Sequence, residues 1–304
     1  MIKVKDIAHV RLRAPDLDTM ERFLLDFGLV RSARSDETLY VRGTDPEHHV
    51  HITERGEPGF IGMAFEAASA EDLRAAATID GATSPTPIDE PGGGTRVEFT
   101  DPNGFRVEIV HGIERLESLP LRPRTGVNDA NGHQRLGALK RMDPGPGQVK
   151  RLGHLVVFVR DFRESEAWYK SRFGFLTSDE AYLGKAEDVI MAFMRCDQGA
   201  AHVDHHTFVC VGTGEPGFNH AAFEVEDLDD VMLGHQHLSG RGYEHAQGVG
   251  RHLLGSQIFD YWKDPWGNMV EHWTDGDLLT ADTPPASHTV EAALGSQWGP
   301  AVTP

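Results

Sequence analysis

GFNHAAFEV, residues 217 to 225, repeats almost word for word a phrase found earlier in the chain at 59 to 67, GFIGMAFEA, with His220 in the place of Gly62. Both alternate in the manner of a strand with one buried face. Repetition of this kind marks duplicated units, and it extends outward from these two phrases. The opening DIAHVRLRAPDLDTMERFLLDFGL (6–29) returns as RLGHLVVFVRDFRESEAWYKSRFGF (151–175), in each case a strand pattern with a central histidine followed by a helix pattern. Asp16 and Asp161 are placed to cap those helices. Leu17, Met20, Phe23, Leu24 and Phe27 give the first helix a single apolar face. DPNGFRVEI (101–109) returns as DPWGNMVEH (264–272), a tight turn feeding a strand each time.

The chain has 304 residues, about twice the commonest domain size. We therefore expect an α+β protein of two tandem domains, at 1–113 and 150–278. Residues 114–149, rich in Pro, Arg, Asn and Gly, read as a connector, and 279–304 as a C-terminal arm or lid. With 47 acidic against 29 basic residues the net charge is −18, which repels phosphate backbones and anionic membrane surfaces. Nucleic acid and membrane are thereby set aside as partners. No apolar run approaches the ~20 residues of a membrane span, and the N-terminus lacks the apolar core of a signal peptide, so a cytoplasmic protein is expected. Cys196 and Cys210 are too few for a disulfide framework and too far apart for a thiol metal site.

Aligning the two units brings three polar positions into focus: His9, Gly62 and Glu108 in the first, and His154, His220 and Glu271 in the second. Only the second set is complete. Each of its members sits in an alternating segment, so three neighbouring strands could aim two imidazoles and one carboxylate at one point. That donor set leaves open positions on a metal and is typical of non-haem Fe(II) oxygenases. Gly62 removes one ligand, so the first unit is expected to be metal-free.

From about residue 5 to residue 278 the chain resembles a two-domain type I extradiol catechol dioxygenase of the vicinal oxygen chelate (glyoxalase/bleomycin resistance/dioxygenase) superfamily. The family signature is matched by GRHLLGSQIFDYWKDPWGNMVE (250–271), with Asp260 standing where the family usually has an apolar residue. The resemblance implies paired βαβββ modules forming curved mixed sheets around a cavity, with the iron in the C-terminal domain. It makes His154, His220 and Glu271 the metal ligands, His206 the acid–base histidine, Tyr261 the hydrogen-bond partner of a substrate oxygen, and His252 a histidine near the substrate. It further implies insertion of both atoms of O2 into a catechol-type aromatic diol at Fe(II), with Mn(II) also accommodated, and a homo-oligomer. No separate organic cofactor site is expected. Arg251 could meet a substrate carboxylate. Two other readings of the same fold are an α-keto-acid dioxygenase of the 4-hydroxyphenylpyruvate type and a metal-free binder of the bleomycin-resistance type.

Overall fold

A computed structural model describes residues 1–123 and 126–300. The first half runs β1 (Val4–Ala14), α1 (Leu17–Phe27), β2 (Val30–Arg34), β3 (Thr38–Arg42), β4 (His51–Arg55), β5 (Gly59–Ala67), α2 (Ala70–Ala76), β6 (Thr86–Pro87), β7 (Thr95–Thr100) and β8 (Arg106–His111). These eight strands form one mixed sheet in the order β2-β3-β4-β1-β5-β8-β7-β6. Each βαβββ unit pairs its first and last strands in parallel, β1 with β4 and β5 with β8. The antiparallel β1–β5 pair joins the two units at the centre.

The second half repeats this plan with β9 (Val149–Val159), α3 (Phe162–Phe173), β10 (Leu176–Tyr182), β11 (Val189–Arg195), β12 (Val203–Asp204), β13 (Phe208–Gly212), β14 (Gly217–Val225), α4 (Leu228–Arg241), β15 (His245–His252), β16 (Ile258–Lys263) and β17 (Met269–Thr274). After it come β18 (Leu278–Leu279), β19 (Ala286–Thr289), α5 (Val290–Ala293) and β20 (Ser296–Trp298). The second sheet has the order β19-β10-β11-β13-β9-β14-β17-β16-β15-β20, so the C-terminal segment extends it at both edges. β12 and β18 make a small separate ribbon.

Local chemistry explains the boundaries. The Asp16 carboxylate accepts from the backbone N–H groups of Asp18 and Thr19, and that of Asp161 from Glu164, which starts α1 and α3 as the sequence predicts. Gly28 (φ 107°) and Gly174 (φ 72°) end them in the left-handed region that a side chain disfavours.

The two halves share one hydrophobic core. Phe27 of α1 meets Phe223 of β14 edge-on and stacks on His272 of β17, whose Nε2–H donates to the Phe27 carbonyl at 2.6 Å. From the other side, Phe173 and Trp168 of α3 pack on Phe65 and Phe99 of the first sheet. Each half thus lends a helix to cover the other's sheet, which holds the strands carrying the site in fixed register. Among the described residues no helix is long and apolar enough to cross a membrane.

Candidate metal centre

Register on three adjacent strands gathers the predicted ligands. Ala222, in the middle of β14, lies opposite His154 of β9 on one side and Glu271 of β17 on the other. His220, two residues earlier, emerges on the same face as both. The ligating atoms form a nearly equilateral triangle: His154 Nε2 stands 3.2 Å from Glu271 Oε2 and 3.4 Å from His220 Nε2, and His220 Nε2 is 3.3 Å from that same oxygen. Three ligands each about 2.1 Å from one ion stand about 3.0 Å apart at right angles and about 3.4 Å apart in a tetrahedron. The observed edges fall in that interval.

The electrostatics ask for a cation at the same point. Glu271 is wholly buried, and neither carboxylate oxygen makes an aligned hydrogen bond despite the nearby imidazoles. A buried anion without such partners is costly, and a divalent ion among the three side chains would offset that cost. Burial by itself pushes the Glu271 carboxyl up, but His154, His220 and His252 together hold it well below the usual carboxylate range. Burial keeps His154 below its ordinary value, against the pull of Glu271, so it is neutral and able to ligate. His220 Nδ1 lies 2.5 Å from the Asn219 amide oxygen, an acceptor, so Nδ1 carries the proton and Nε2 presents its lone pair to the other two ligands. These residues fit a divalent metal.

The other three predicted residues surround the triangle. Tyr261 lies opposite Glu271 across the β16–β17 pair, and its hydroxyl is 3.1 Å from His252 Nε2. Burial raises the Tyr261 phenol well above its ordinary value, reinforced by the Glu271 carboxylate. His252 Nε2 is also 3.5 Å from Glu271 Oε1. His206, just before β13, sets its ring 4.2 Å from that of His154, and burial together with its histidine neighbours depresses it well below the ordinary histidine value.

Behind His206 runs a chain of polar contacts that no sequence motif announced. His206 Nδ1 is 3.0 Å from His205 Nδ1, His205 Nε2 is 2.7 Å from Asp179 Oδ2, and Asp179 Oδ1 is 3.0 Å from His288 Nε2. Asp179 can only accept from His205, so His205 Nε2 carries its proton and Nδ1 is left as an acceptor. His206 Nδ1–H then donates to it, and His206 Nε2 is the nitrogen with a free lone pair. Asn219, Asp179 and His288 are the site residues that sequence reasoning missed, while His205, the alternative to His206 within the pair His205–His206, takes its place behind that residue.

The triangle opens onto a cavity of about 300 Å³, walled by Val156, Phe158, Met191, Phe193 and Leu254 and roofed by α5 through Val290 and Ala293. Among the described residues its lining contains no lysine or arginine. Arg251 is engaged elsewhere: its guanidinium donates to the Ser256 carbonyl at 2.6 Å and to Asp275 at 2.8 Å, and lies over Trp298. The suggested carboxylate contact therefore has no support.

At the corresponding place in the first sheet, Ala64 lies between His9 and Glu108 in the same register. His9 Nε2 and Glu108 Oε2 meet directly at 3.1 Å, and Arg106 forms an ion pair with the same carboxylate. Burial pushes Glu108 up, but His9 and the arginines override it and hold it far below the carboxylate range. A Cβ built on Gly62 would stand 1.8 Å from the Arg106 carbonyl oxygen, and the space between these groups admits no water molecule.

Residues 151–272 match the family model described as the glyoxalase/bleomycin resistance protein/dioxygenase superfamily. The chain is 32% identical to metapyrocatechase 2 of Cupriavidus necator over 98% of its own length and 90% of that protein's. It is 24% identical to the iron-dependent extradiol dioxygenase of Rhodococcus jostii, covering 98% and 97% of the two chains. In fold it is similar to the Mn(II)-bound glyoxalase of Novosphingobium aromaticivorans, with a TM-score of 0.81 at 23% identity over 99% and 93% of the chains. With metapyrocatechase 2 at 32% identity along nearly the whole chain, this protein belongs to the extradiol dioxygenases of the glyoxalase/bleomycin resistance protein/dioxygenase superfamily.

Proposed function

We propose that this chain is an Fe(II)-dependent extradiol ring-cleaving dioxygenase that inserts both atoms of O2 into a catechol-type diol bearing an apolar substituent. The observation that carries the reading is the buried triangle of His154, His220 and Glu271 opening onto an apolar cavity whose rim holds Tyr261, His252 and His206. Two imidazoles and a carboxylate suit iron, and manganese equally, by donor type. When bound, the ion supplies a positive charge that makes a diol hydroxyl easier to ionise and a place where diol and O2 meet.

The protein's own groups do the rest. Tyr261 and His252, hydrogen-bonded to each other, hold the diol edge and share the proton released from it. His206, neutral and with Nε2 free, takes up the second proton of the diol and returns it to oxygen as the ring opens. The Asp179–His205 pair fixes the His206 ring and favours its protonated form once formed. The apolar walls exclude water and receive an alkyl or aryl substituent, whereas a carboxylate there would lie unpaired.

The test is anaerobic loading with Fe(II) followed by catechol, 3-methylcatechol, 2,3-dihydroxybiphenyl or 3,4-dihydroxyphenylacetate, with oxygen uptake and the yellow ring-opened product followed together. The expected result is stoichiometric uptake, fastest with 3-methylcatechol or 2,3-dihydroxybiphenyl and slowest with 3,4-dihydroxyphenylacetate. Iron bound at one equivalent with no uptake on any diol would overturn the assignment, and a preference for 3,4-dihydroxyphenylacetate would overturn the substrate class.

A further inference from the structure

On the face of β16 turned away from Tyr261, three more metal-ligating side chains converge. Successive residues of a strand face opposite ways, so Asp260 and Trp262 point toward α4 while Tyr261 faces the cavity. Asp260 is fully buried. His235 of α4 brings Nδ1 to 3.2 Å from Asp260 Oδ1 and 3.1 Å from Oδ2, and His245 of β15 brings Nε2 to 2.8 Å from Oδ1. One ligand atom from each lies within 4.8 Å of the others, a criterion met among the described residues by only one other cluster, the triangle of the candidate centre.

Two further features set this cluster apart from an ordinary surface ion pair. The buried indole N–H of Trp262 donates to Asp260 Oδ2 at 2.6 Å, which orients the carboxylate and leaves Oδ1 as the atom shared by the two histidines. A hydrogen bond on the outer oxygen of a carboxylate is what supports a ligand in built metal sites. The first half supplies an internal control. There Val97 occupies the position of Asp260, opposite Ile109 as Asp260 is opposite His272, and is wholly buried and apolar. The sheet can therefore close at this point without a carboxylate, and the second half has put one in together with two histidines.

We propose that His235, His245 and Asp260 form a second site for a divalent transition metal, zinc among them, that clamps α4 to the β15–β16 hairpin. Two imidazoles and one carboxylate favour zinc, iron, nickel or copper over magnesium or calcium. The histidine side chains are 26% and 31% exposed, so an ion has an entry path and water can complete its coordination. Coordination requires each ligating nitrogen to give up its proton, to the other ring nitrogen or to solvent, so the site weakens in acid. The clamped hairpin carries His252 and Tyr261 on its other face, so the ion would steady the frame behind them.

The test uses tag-free, metal-stripped protein dialysed against micromolar zinc chloride, with bound zinc measured by atomic emission. Wild type should hold two equivalents per chain, and His245→Gln and His220→Ala one each. Zinc should raise the melting temperature of His220→Ala but not of His220→Ala/His245→Gln. His245 is part exposed, so its replacement leaves the fold intact and separates loss of a ligand from loss of structure. A single equivalent in the wild type, or a second one that survives joint replacement of His235 and His245 by glutamine, overturns the proposal. Either result leaves the diol-cleavage reading untouched, because that reading rests on the other face of the strand.

Discussion

In the first sheet Ala64 sits between His9 and Glu108, and in the second Ala222 sits between His154 and Glu271, strand for strand in the same register. The two places solve one problem in different ways. Each has buried a carboxylate beside a histidine and must supply positive charge. The first uses guanidinium groups of its own chain, Arg106 in contact with Glu108 and Arg96 and Arg11 within 3.5 and 3.8 Å, and fills the space completely. The second adds His220 in place of a guanidinium, and in the function proposed above a divalent ion supplies the charge. A built-in cation cannot leave, bind substrate or be lost, which suits a scaffold; a borrowed one keeps open positions, which suits chemistry.

The sharpest way to break this comparison is to exchange its deciding residue. His220→Ala should lose bound iron and lower oxygen uptake by about 10³-fold or more, the loss of several kcal/mol of metal-derived stabilisation. Gly62→His should gain no metal and cost about 3 kcal/mol in a urea melt, because its Cβ meets the Arg106 carbonyl. Iron bound at an intact first sheet in that variant would show that fullness is not what disables the site.

Next in size is the histidine pair that both halves retain. His48 and His49 repeat the Nδ1-to-Nδ1 contact of His205 and His206 at the same 3.0 Å. His206→Asn should lower kcat by about 10²- to 10⁴-fold with iron content unchanged. His49→Asn should leave kcat within about two-fold, and equal losses in the two variants would erase the distinction between the halves. Asp179→Asn should cost about ten- to a hundred-fold and flatten the acid limb of the kcat profile, while iron stoichiometry stays at one.

The smallest effect concerns stability. His51 begins β4 where Phe208 begins β13, opposite Val10 as Phe208 is opposite Leu155. Burial lowers the His51 imidazole from 6.5 to about 3, so the unfolded chain takes up the proton first. Stability from this residue is complete above pH 6.5 and drains away as pH falls from 6.5 toward 3. His51→Phe, copying the second half, should remove on the order of 1 to 2 kcal/mol of the loss between pH 7 and 5, read from paired denaturant melts. Identical acid sensitivity in the two proteins would place the titrating group elsewhere.

Much of this was legible in the chain because duplication writes each signal twice. The paired phrases gave the strand carrying Ala222 and its neighbours, the aspartate caps gave the helix starts, and the unmatched His220 marked the half in which His154, His220 and Glu271 converge. What stayed hidden depends on contacts far apart in sequence. Asp179 and His205 are 26 residues apart, and Asp179 and His288 are 109, with no periodic pattern to link them. Asp260 stood out as a departure from the family pattern, yet its partners come from the helix and the strand before it, and only the register of β15 on β16 brings them together. Arg251 looked free because its neighbour His252 faces the site; its own side chain turns to Asp275.

The roof of the cavity has a consequence for how the site is reached. His288 and the α5 turn at Val290–Ala293 follow His154, His220 and Glu271 in the chain and pack on the sheet from outside the repeated unit. Cutting the chain after Thr280 would therefore take away the roof of the cavity while leaving those three residues in place.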